Sequence, residues 1–494
     1  IFILLALTYY SLLPLTRRSS FPLPPGLRKF PWEGNLFAVA SELPWKIYAK
    51  WARELDSDII HFKHLGESVV VISSLEATEN LLRRGTFSDR PHETMTQDLM
   101  GWNFNVGMRM HRRLLGKAFA AQEITKYEER EASAVHRLLL HLLEEPDHFS
   151  RHFKRMSGEL SVSIIYGLES WPECTTYLHL AERAIAAMSR SLLLGQYLVN
   201  TFPILKSIPR WFPRWFPGAG FKKKAEEWRP LARDMLEMPF AETQRQMAIG
   251  KTLQTSFTTD ALHQLHSSPS AKDYSEIDIK NSAASTFLAG ADIIAISIEN
   301  FVLAMLANPA AQKSAQAEID SVIGKERLPE FADRDRLPYA TALLYEVLRW
   351  QTAVPLALPR RLAQDEEYRG YTLPAGSRVY ANVWAILHDE AAYPDPFAFK
   401  PERFLLDGQL NKGAKLPDAA FGFGRRICPG KHLAISMLWI AIVSILASFD
   451  VKKATDEDGN VIEPSYEYDA GAISAPLPFK FSIVPRSENT VSLI

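Results

Sequence analysis

Cysteine is nearly absent: the 494 residues hold two, Cys174 and Cys428. That excludes a disulfide framework and fits a reducing compartment, where a lone cysteine is inert core, a ligand or a nucleophile. Charge of one sign is lacking too. Lys and Arg number 56 against 57 Asp and Glu, a formal net charge of -1 at pH 7, so no whole-chain field points to nucleic acid. No basic tail, zinc-like Cys/His spacing, internal repeat or low-complexity linker appears in the sequence. What is present is an ordinary globular composition, 47% hydrophobic and 23% charged, on a chain long enough for a large buried core.

The first apolar run is Ile1 to Leu15 (IFILLALTYYSLLPL), followed by Arg17 and Arg18. As a helix it reaches about 22 Å, short of a hydrocarbon core of about 30 Å. Because the chain starts with Ile rather than Met, upstream residues are expected to complete a single-pass membrane anchor over 1–16. The two arginines would hold the rest of the chain on the cytoplasmic side. The other reading is a cleaved secretory signal, against which stands the lack of a small-residue cleavage site. Residues 17–30, with Phe21-Pro-Leu-Pro-Pro-Gly26, read as a proline-rich hinge that cannot continue a helix. Residues 31–494 then form one large domain.

Within that domain, Ser68 to Ser73 (SVVVIS) is a β-branched run typical of a buried strand. Amphipathic helical periodicity dominates from about 122 to 345, with long stretches around 128–143, 177–194 and 280–307. Short strands are expected near 368–372 and 378–382. The fold class is therefore mainly α with a small β region. Residues 202–221 are rich in Trp, Phe and Pro and run into Lys222, Lys223 and Lys224. Such a segment suits contact with membrane lipid, or else a Pro-rich loop packed on the protein itself.

The most specific segment is Phe421-Gly-Phe-Gly-Arg-Arg-Ile-Cys428-Pro-Gly430. Glycines let a backbone pass close to a flat ligand. A cysteine just before a helix points its sulfur at the positive end of the helix dipole, which favours thiolate. The apolar run Leu433 to Phe449 is expected to be that helix. Thiolate is a strongly donating axial ligand for haem iron and helps split the O–O bond. Taken alone, one cysteine is better read as buried core; its glycines, its arginine and the order of the other motifs reverse that.

With this segment the chain resembles the cytochrome P450 family. The family's haem signature, Phe-x-x-Gly-x-Arg-x-Cys-x-Gly, is met by Phe421, Gly424, Arg426, Cys428 and Gly430, and the resemblance runs over essentially the whole chain. It implies the cytochrome P450 fold, with haem b (iron protoporphyrin IX) between the 285–307 helix and the Cys428 loop, and Cys428 on the metal. It implies insertion of one oxygen atom from dioxygen into a small, largely apolar molecule. Electrons would come from NADPH through cytochrome P450 reductase, with the enzyme in the endoplasmic reticulum membrane and its catalytic domain cytosolic. A reductase-docking face is expected where Arg112, Arg113, Lys117, Arg425 and Lys431 gather.

The resemblance also sorts the remaining motifs. Glu346 and Arg349 form an E-x-x-R pair on one helix face, and Arg403 of Pro401-Glu-Arg-Phe404 is its implied third partner; these are structural, not catalytic. Ala289-Gly290-Ala291-Asp292 looks like the oxygen-side helix motif, making Gly290 and Asp292 catalytic candidates. Gly290 would open the helix surface over the haem, and Asp292 would belong to a proton route. The family's usual threonine is replaced by Ile293, which has no hydroxyl. An ordered water, a substrate hydroxyl or Ser297 one turn on are the repairs, unless Ser297 merely bonds back to a helix carbonyl. Arg112 and Arg360 match the family's propionate contacts, alternatively being solvated surface charges. Met108 stands where the family has tryptophan, and the segment between Asn105 and His111 is short.

Leu99-Met-Gly-Trp-Asn-Phe104, Trp215-Phe-Pro-Gly-Ala-Gly-Phe-Lys222 and Phe421-Gly-Phe-Gly are similar to fungal microsomal members of secondary metabolism, the branch that includes mushroom tryptamine hydroxylases and aflatoxin-type oxidoreductases. Two rival functions remain open: a haem-thiolate isomerase or dehydratase needing no external electrons, and a non-catalytic haem protein.

Overall fold

The computed structural model describes residues 21–26, 43–103, 109–169, 173–208, 220–251, 253–267 and 273–494. The expected anchor, most of the hinge, Met108 and the aromatic stretch past residue 208 lie outside the described residues. The helices are α1 (Pro44–Glu54), α2 (Leu75–Leu82), α3 (Arg109–Ala118), α4 (Glu128–Glu144), α5 (Phe149–Tyr166), α6 (Glu173–Ser191), α7 (Phe221–Ala248), α8 (Phe257–Ser267), α9 (Glu276–Ala307), α10 (Pro309–Val322), α11 (Pro338–Trp350) and α12 (Lys431–Ser448), besides shorter turns of helix.

The main sheet holds β1 (Ile59–His64), β2 (Glu67–Ile72), β3 (Arg360–Arg361) and, beyond an intervening hairpin, β6 (Arg378–Ala381), in the order β1-β2-β6-β3. β1 and β2 are antiparallel with Ile59 opposite Ile72, whereas β2 and β6 run parallel with Val69 opposite Arg378. The Val69–Ile72 run is continuous rather than alternating because both faces are covered. Val70 and Ile72 pack with Leu81 and Leu373, while Val69 and Val71 pack with Tyr48, Trp51 and Phe62.

The single strand expected at 368–372 is instead that hairpin. β4 (Glu366–Tyr368) and β5 (Tyr371–Leu373) pair across Arg369-Gly370. Both turn residues have positive φ, 49° and 77°, the requirement of a tight two-residue hairpin turn.

Helix α9 crosses the largest core. Ser275 starts it with a reciprocal cap: its Oγ accepts from the Asp278 amide, and Asp278 accepts from the Ser275 amide at 2.8 Å. α9 and α12 are long and apolar enough to cross a membrane, yet 78% and 67% of their apolar windows are buried inside the protein. A helix apolar on all sides belongs in such a core. α5 lies along α9 and α4 packs against α12, so α9 and α12 are each flanked by helices whose polar side chains reach inward.

Candidate functional site

Cys428 lies three residues before α12, which Gly430 caps. Its amide donates to the Phe421 carbonyl at 2.7 Å, closing the loop on itself. Gly424 has φ +53° and a Cβ there would lie 2.4 Å from the Leu82 carbonyl oxygen, so the loop reaches α2 only with glycine at that position. Gly430 sits against the thiol: a Cβ would come 3.9 Å from Sγ. Phe421 packs partly buried on the α12 side, with the Lys431 ammonium 5.9 Å from its ring centre.

Cys428 is exposed, yet burial pushes its thiol pKa up. Surface together with desolvation describes an internal cleft, not the outside of the protein. The Gly430 N–H, Arg112 and Lys431 pull the other way, but burial outweighs them. The helix end and the nearby cations thus favour thiolate, as the sequence suggests, while burial opposes it. A metal cation bound there would hold the sulfur as thiolate, because a coordinating thiol is deprotonated.

Four arginines gather beside this loop. Arg112 on α3 donates to the Ile427 carbonyl at 2.5 Å. Arg360 on β3 is buried and donates to the carbonyls of Phe423 at 2.6 Å and Leu82 at 3.0 Å. Arg426 donates to the Ser88 carbonyl at 2.8 Å. Arg90 donates to Leu358 and Pro359, at 2.7 and 2.8 Å, beside Arg360. Burial, with repulsion from Arg426, Arg360 and Arg112, brings the Arg90 pKa down to about 9. Burial and the Arg426 and Arg112 charges bring Arg360 down to about 10. One buried and three half-buried cations, packed around backbone carbonyls and repelling one another, fit a bound dianion, and the two propionates of haem b are one. Arg90 was missed by sequence reasoning. An arginine before a proline carries no periodicity; its only cue was the Asp89-Arg90 neighbourhood, whose Asp89 carbonyl accepts the Arg361 amide at 2.9 Å.

α9 is buried along most of its length, but Ala289 is exposed and Ile293 half-exposed mid-helix. These two residues, four apart, form an apolar open face. Gly290 is placed differently from the sequence expectation. A Cβ there would lie 2.7 Å from Ser161 Oγ of α5. Its missing side chain admits α5 and does not line the open face. Ser297 is buried and donates to the Ile293 carbonyl at 2.8 Å, the local bond that competes with a catalytic role. Asp292 is half-buried, and burial raises its pKa against the pull of Lys154.

The E-x-x-R pair is assembled as expected. Arg349 donates to both Glu346 oxygens at 2.7 and 2.8 Å, Arg403 adds bonds of 3.0 and 3.2 Å, and the Lys400 amide adds one of 2.7 Å. Arg349 also reaches the Leu387 and Pro396 carbonyls, tying α11 to the chain that leads toward the Cys428 loop.

A mainly α protein with a cysteine loop leading into a core helix and a cluster of arginines beside it is built as a haem-thiolate protein. The cytochrome P450 family model matches residues 24–482, and the chain belongs to the cytochrome P450 family. It is 39% identical over 489 residues to cytochrome P450 monooxygenase ple1 of Rhodocybe pseudopiperita, covering 97% of this chain and 92% of that protein. It is 39% identical over 486 residues to cytochrome P450 monooxygenase 208 of Postia placenta, covering 96% and 92%. It is 34% identical over 499 residues to tryptamine 4-monooxygenase of Psilocybe cyanescens, covering 98% and 97%. The chain is a haem-thiolate monooxygenase that uses haem b. The isomerase and non-catalytic alternatives find no support among these relatives. Monooxygenases of this family generally draw electrons from a redox partner and act on apolar substrates.

Proposed function

We propose that Cys428 is the axial thiolate of the haem, that Arg90, Arg112, Arg360 and Arg426 hold its propionates, and that Phe421, Gly424 and Gly430 shape the loop beneath it. The haem supplies oxygen activation when bound; the chain's own residues bind it, orient the substrate and hold protons. The observation that carries this reading is the accessible Cys428 thiol in its glycine loop with four buried or half-buried, mutually repelling arginines beside it. Ala289 and Ile293 present apolar surface, which suits a small, largely apolar substrate of fungal secondary metabolism. The similarity to a protein named tryptamine 4-monooxygenase makes indole amines a reasonable first panel.

Electrons arrive from NADPH–cytochrome P450 reductase, and the chain is anchored in the endoplasmic reticulum membrane by its N-terminal segment with the catalytic domain in the cytosol. Of the cations expected to dock the reductase, Arg113 pairs with Asp273 and Lys431 with Asp418, both at 2.8 Å or less. Arg425 and Lys117 stay exposed, and among the described residues no ion pair holds them; these two are left to attract an acidic partner. The test is the reduced carbon monoxide spectrum. The native chain gives the thiolate-type band, and Cys428→Ser removes it. A Cys428→Ser protein that kept the thiolate-type band would overturn the assignment.

A further inference from the structure

Helix α3 carries Arg112 on a short and mostly charged turn of chain. Arg109, Arg113 and Lys117 are exposed, and only His111 and Leu115 are buried, at 1% and 0% exposure. These two are four residues apart and share one face. Leu115 joins the large apolar core, but apolar burial is non-directional. A ten-residue helix seated on one leucine can turn about its own axis with little loss. His111 supplies the directional contact: its Nε2 lies 3.3 Å from Asp278 Oδ1 in the first turn of α9. The approach is off the axis of a hydrogen bond, so the attraction is electrostatic. Arg113 adds a tie to Asp273 at 2.8 Å, but those side chains are 65% and 66% exposed, and a pair so exposed contributes little.

Asp278 is held ready for this contact. Its Oδ2 accepts from the Ser275 amide at 2.8 Å and from Ser275 Oγ at 2.7 Å, so the carboxyl cannot swing away without loosening the start of α9. Burial pushes its pKa up, but the Ser275 bonds and His111 outweigh burial and hold it below the ordinary carboxylate range. The imidazole itself is a poor choice for packing alone. Its Nδ1 is buried and has no partner among the described residues. Leucine at that place would bury apolar surface and leave no polar nitrogen unsatisfied. What histidine supplies and leucine cannot is the attraction to Asp278.

His111 and Arg112 are consecutive, so their side chains leave α3 about 100° apart. One faces α9 and the other reaches the Ile427 carbonyl beside Cys428. At about 6 Å from the helix axis, a turn of α3 by about 20° carries a side-chain tip about 2 Å, enough to break a hydrogen bond. We propose that His111 is the positioning residue of the haem site: seated against Asp278, it fixes the turn of α3 and with it the reach of Arg112 toward the haem propionate and the Ile427 carbonyl. The proposal rests on the reading of Arg112 as a propionate contact.

The test uses the full haem-loaded chain, with haem transfer to apomyoglobin as the readout and the thiolate-type carbon monoxide spectrum recorded first. The variants are His111→Leu, His111→Gln, Arg112→Met and the double variant of His111→Leu with Arg112→Met. Arg112→Met speeds transfer by about tenfold or more, the loss of a charge-assisted hydrogen bond. His111→Leu speeds it severalfold, and His111→Gln, which keeps an N–H at similar reach, restores a rate near native. The double variant transfers haem no faster than Arg112→Met alone, because a positioning residue has nothing left to position; a merely structural histidine would multiply the two effects. Should His111→Leu fail to load haem, Asp278→Asn, which removes the charge from the other side of the contact, carries the measurement and is again severalfold faster than native. A native rate in Arg112→Met overturns the propionate reading and this proposal together. A fast Arg112→Met with a native rate in His111→Leu or Asp278→Asn, with His111→Gln as fast as His111→Leu, or with multiplied effects in the double variant, overturns the role of His111 alone.

Discussion

Glu346→Gln is the sharpest test of how the haem side is supported. Glu346 is wholly buried and accepts from Arg349 twice, Arg403 twice and the Lys400 amide. Glutamine keeps the shape but removes the only carboxylate in the network. It leaves the Arg349 guanidinium, itself 0% exposed, and the Arg403 guanidinium, 9% exposed, without a counter-charge. Breaking a buried ion pair by removing one partner costs about 3–5 kcal/mol. Here two cations are left, offset in part by the carbonyls of Leu387, Pro396 and Pro394 that already accept from them. At roughly 2.1 cal/mol/K per residue, a chain of this length unfolds with an entropy of about 1 kcal/mol/K, so the midpoint falls by about 3–5 °C. Thermal unfolding of haem-loaded protein, followed by circular dichroism at matched scan rates, reads this. Because the network touches neither haem nor substrate, protein that stays folded keeps its thiolate-type spectrum. A midpoint within about 1 °C of native would refute the charge-network account, and a lost spectrum in a fully stable variant would refute the purely structural role.

Two further outcomes concern buried charges. Arg90→Met removes one of the cations assigned to the propionates; a lost charge-assisted hydrogen bond of about 1.5–3 kcal/mol speeds haem transfer to apomyoglobin by about tenfold or more, and a native transfer rate would place Arg90 outside the cofactor site. Glu131 on α4 is 0% exposed and bonded through Oε2 by Ser436 of α12 at 2.6 Å, while its Oε1 has no partner. Burial pushes its pKa up to about 8. The folded state thus holds a proton that the unfolded state releases above about pH 4.3. Stability from this group is present at low pH and is lost as pH rises toward 8, by an amount on the order of a few kcal/mol. Glu131→Gln should flatten that decline in urea unfolding between pH 5 and 8; equal slopes in both proteins would show that Glu131 is not held neutral.

Legibility in the sequence followed the kind of signal each residue carries. Cys428 and its glycines were readable because a loop passing close to a flat ligand needs those residue types at fixed spacing. Glu346 and Arg349 were readable because they share one helix turn among apolar neighbours. The helices at 128–143 and 280–307 were readable from periodicity and match α4 and α9 closely. The hairpin at 366–373 was not resolved: its strands are three residues each, too short to show alternation, and the Arg369-Gly370 turn was the only cue. Gly290 was given the wrong neighbour, since a sequence shows that a side chain is missing but not which helix fills the space. Arg90 was invisible for the same reason. It comes beside Arg360 through the isolated bridge of Asp89 with Arg361, 272 positions further on.

The same limit explains the oxygen side. Along α9 alone, Ile293 reads as a defect, because the residue types expected of a proton route are sought on one helix. The fold places α5 antiparallel against it, so that Ser150 meets Glu299 at one end and Ser161 meets Gly290 at the other. A hydroxyl can reach a given point in the core from any helix that packs there, and Gly290 is what lets α5 come close enough. The glycine therefore serves the packing: the narrow residue admits α5, whose Ser157 bonds to the Gly290 and Ala291 carbonyls. This makes a specific demand on the packing. Gly290→Ala must push Ser161 away from α9, and the Ser157 bonds to the Gly290 and Ala291 carbonyls with it, so the added methyl group destabilises the protein by about 1–3 kcal/mol; urea unfolding reads this, and a variant as stable as the native protein would show that α5 does not depend on that notch.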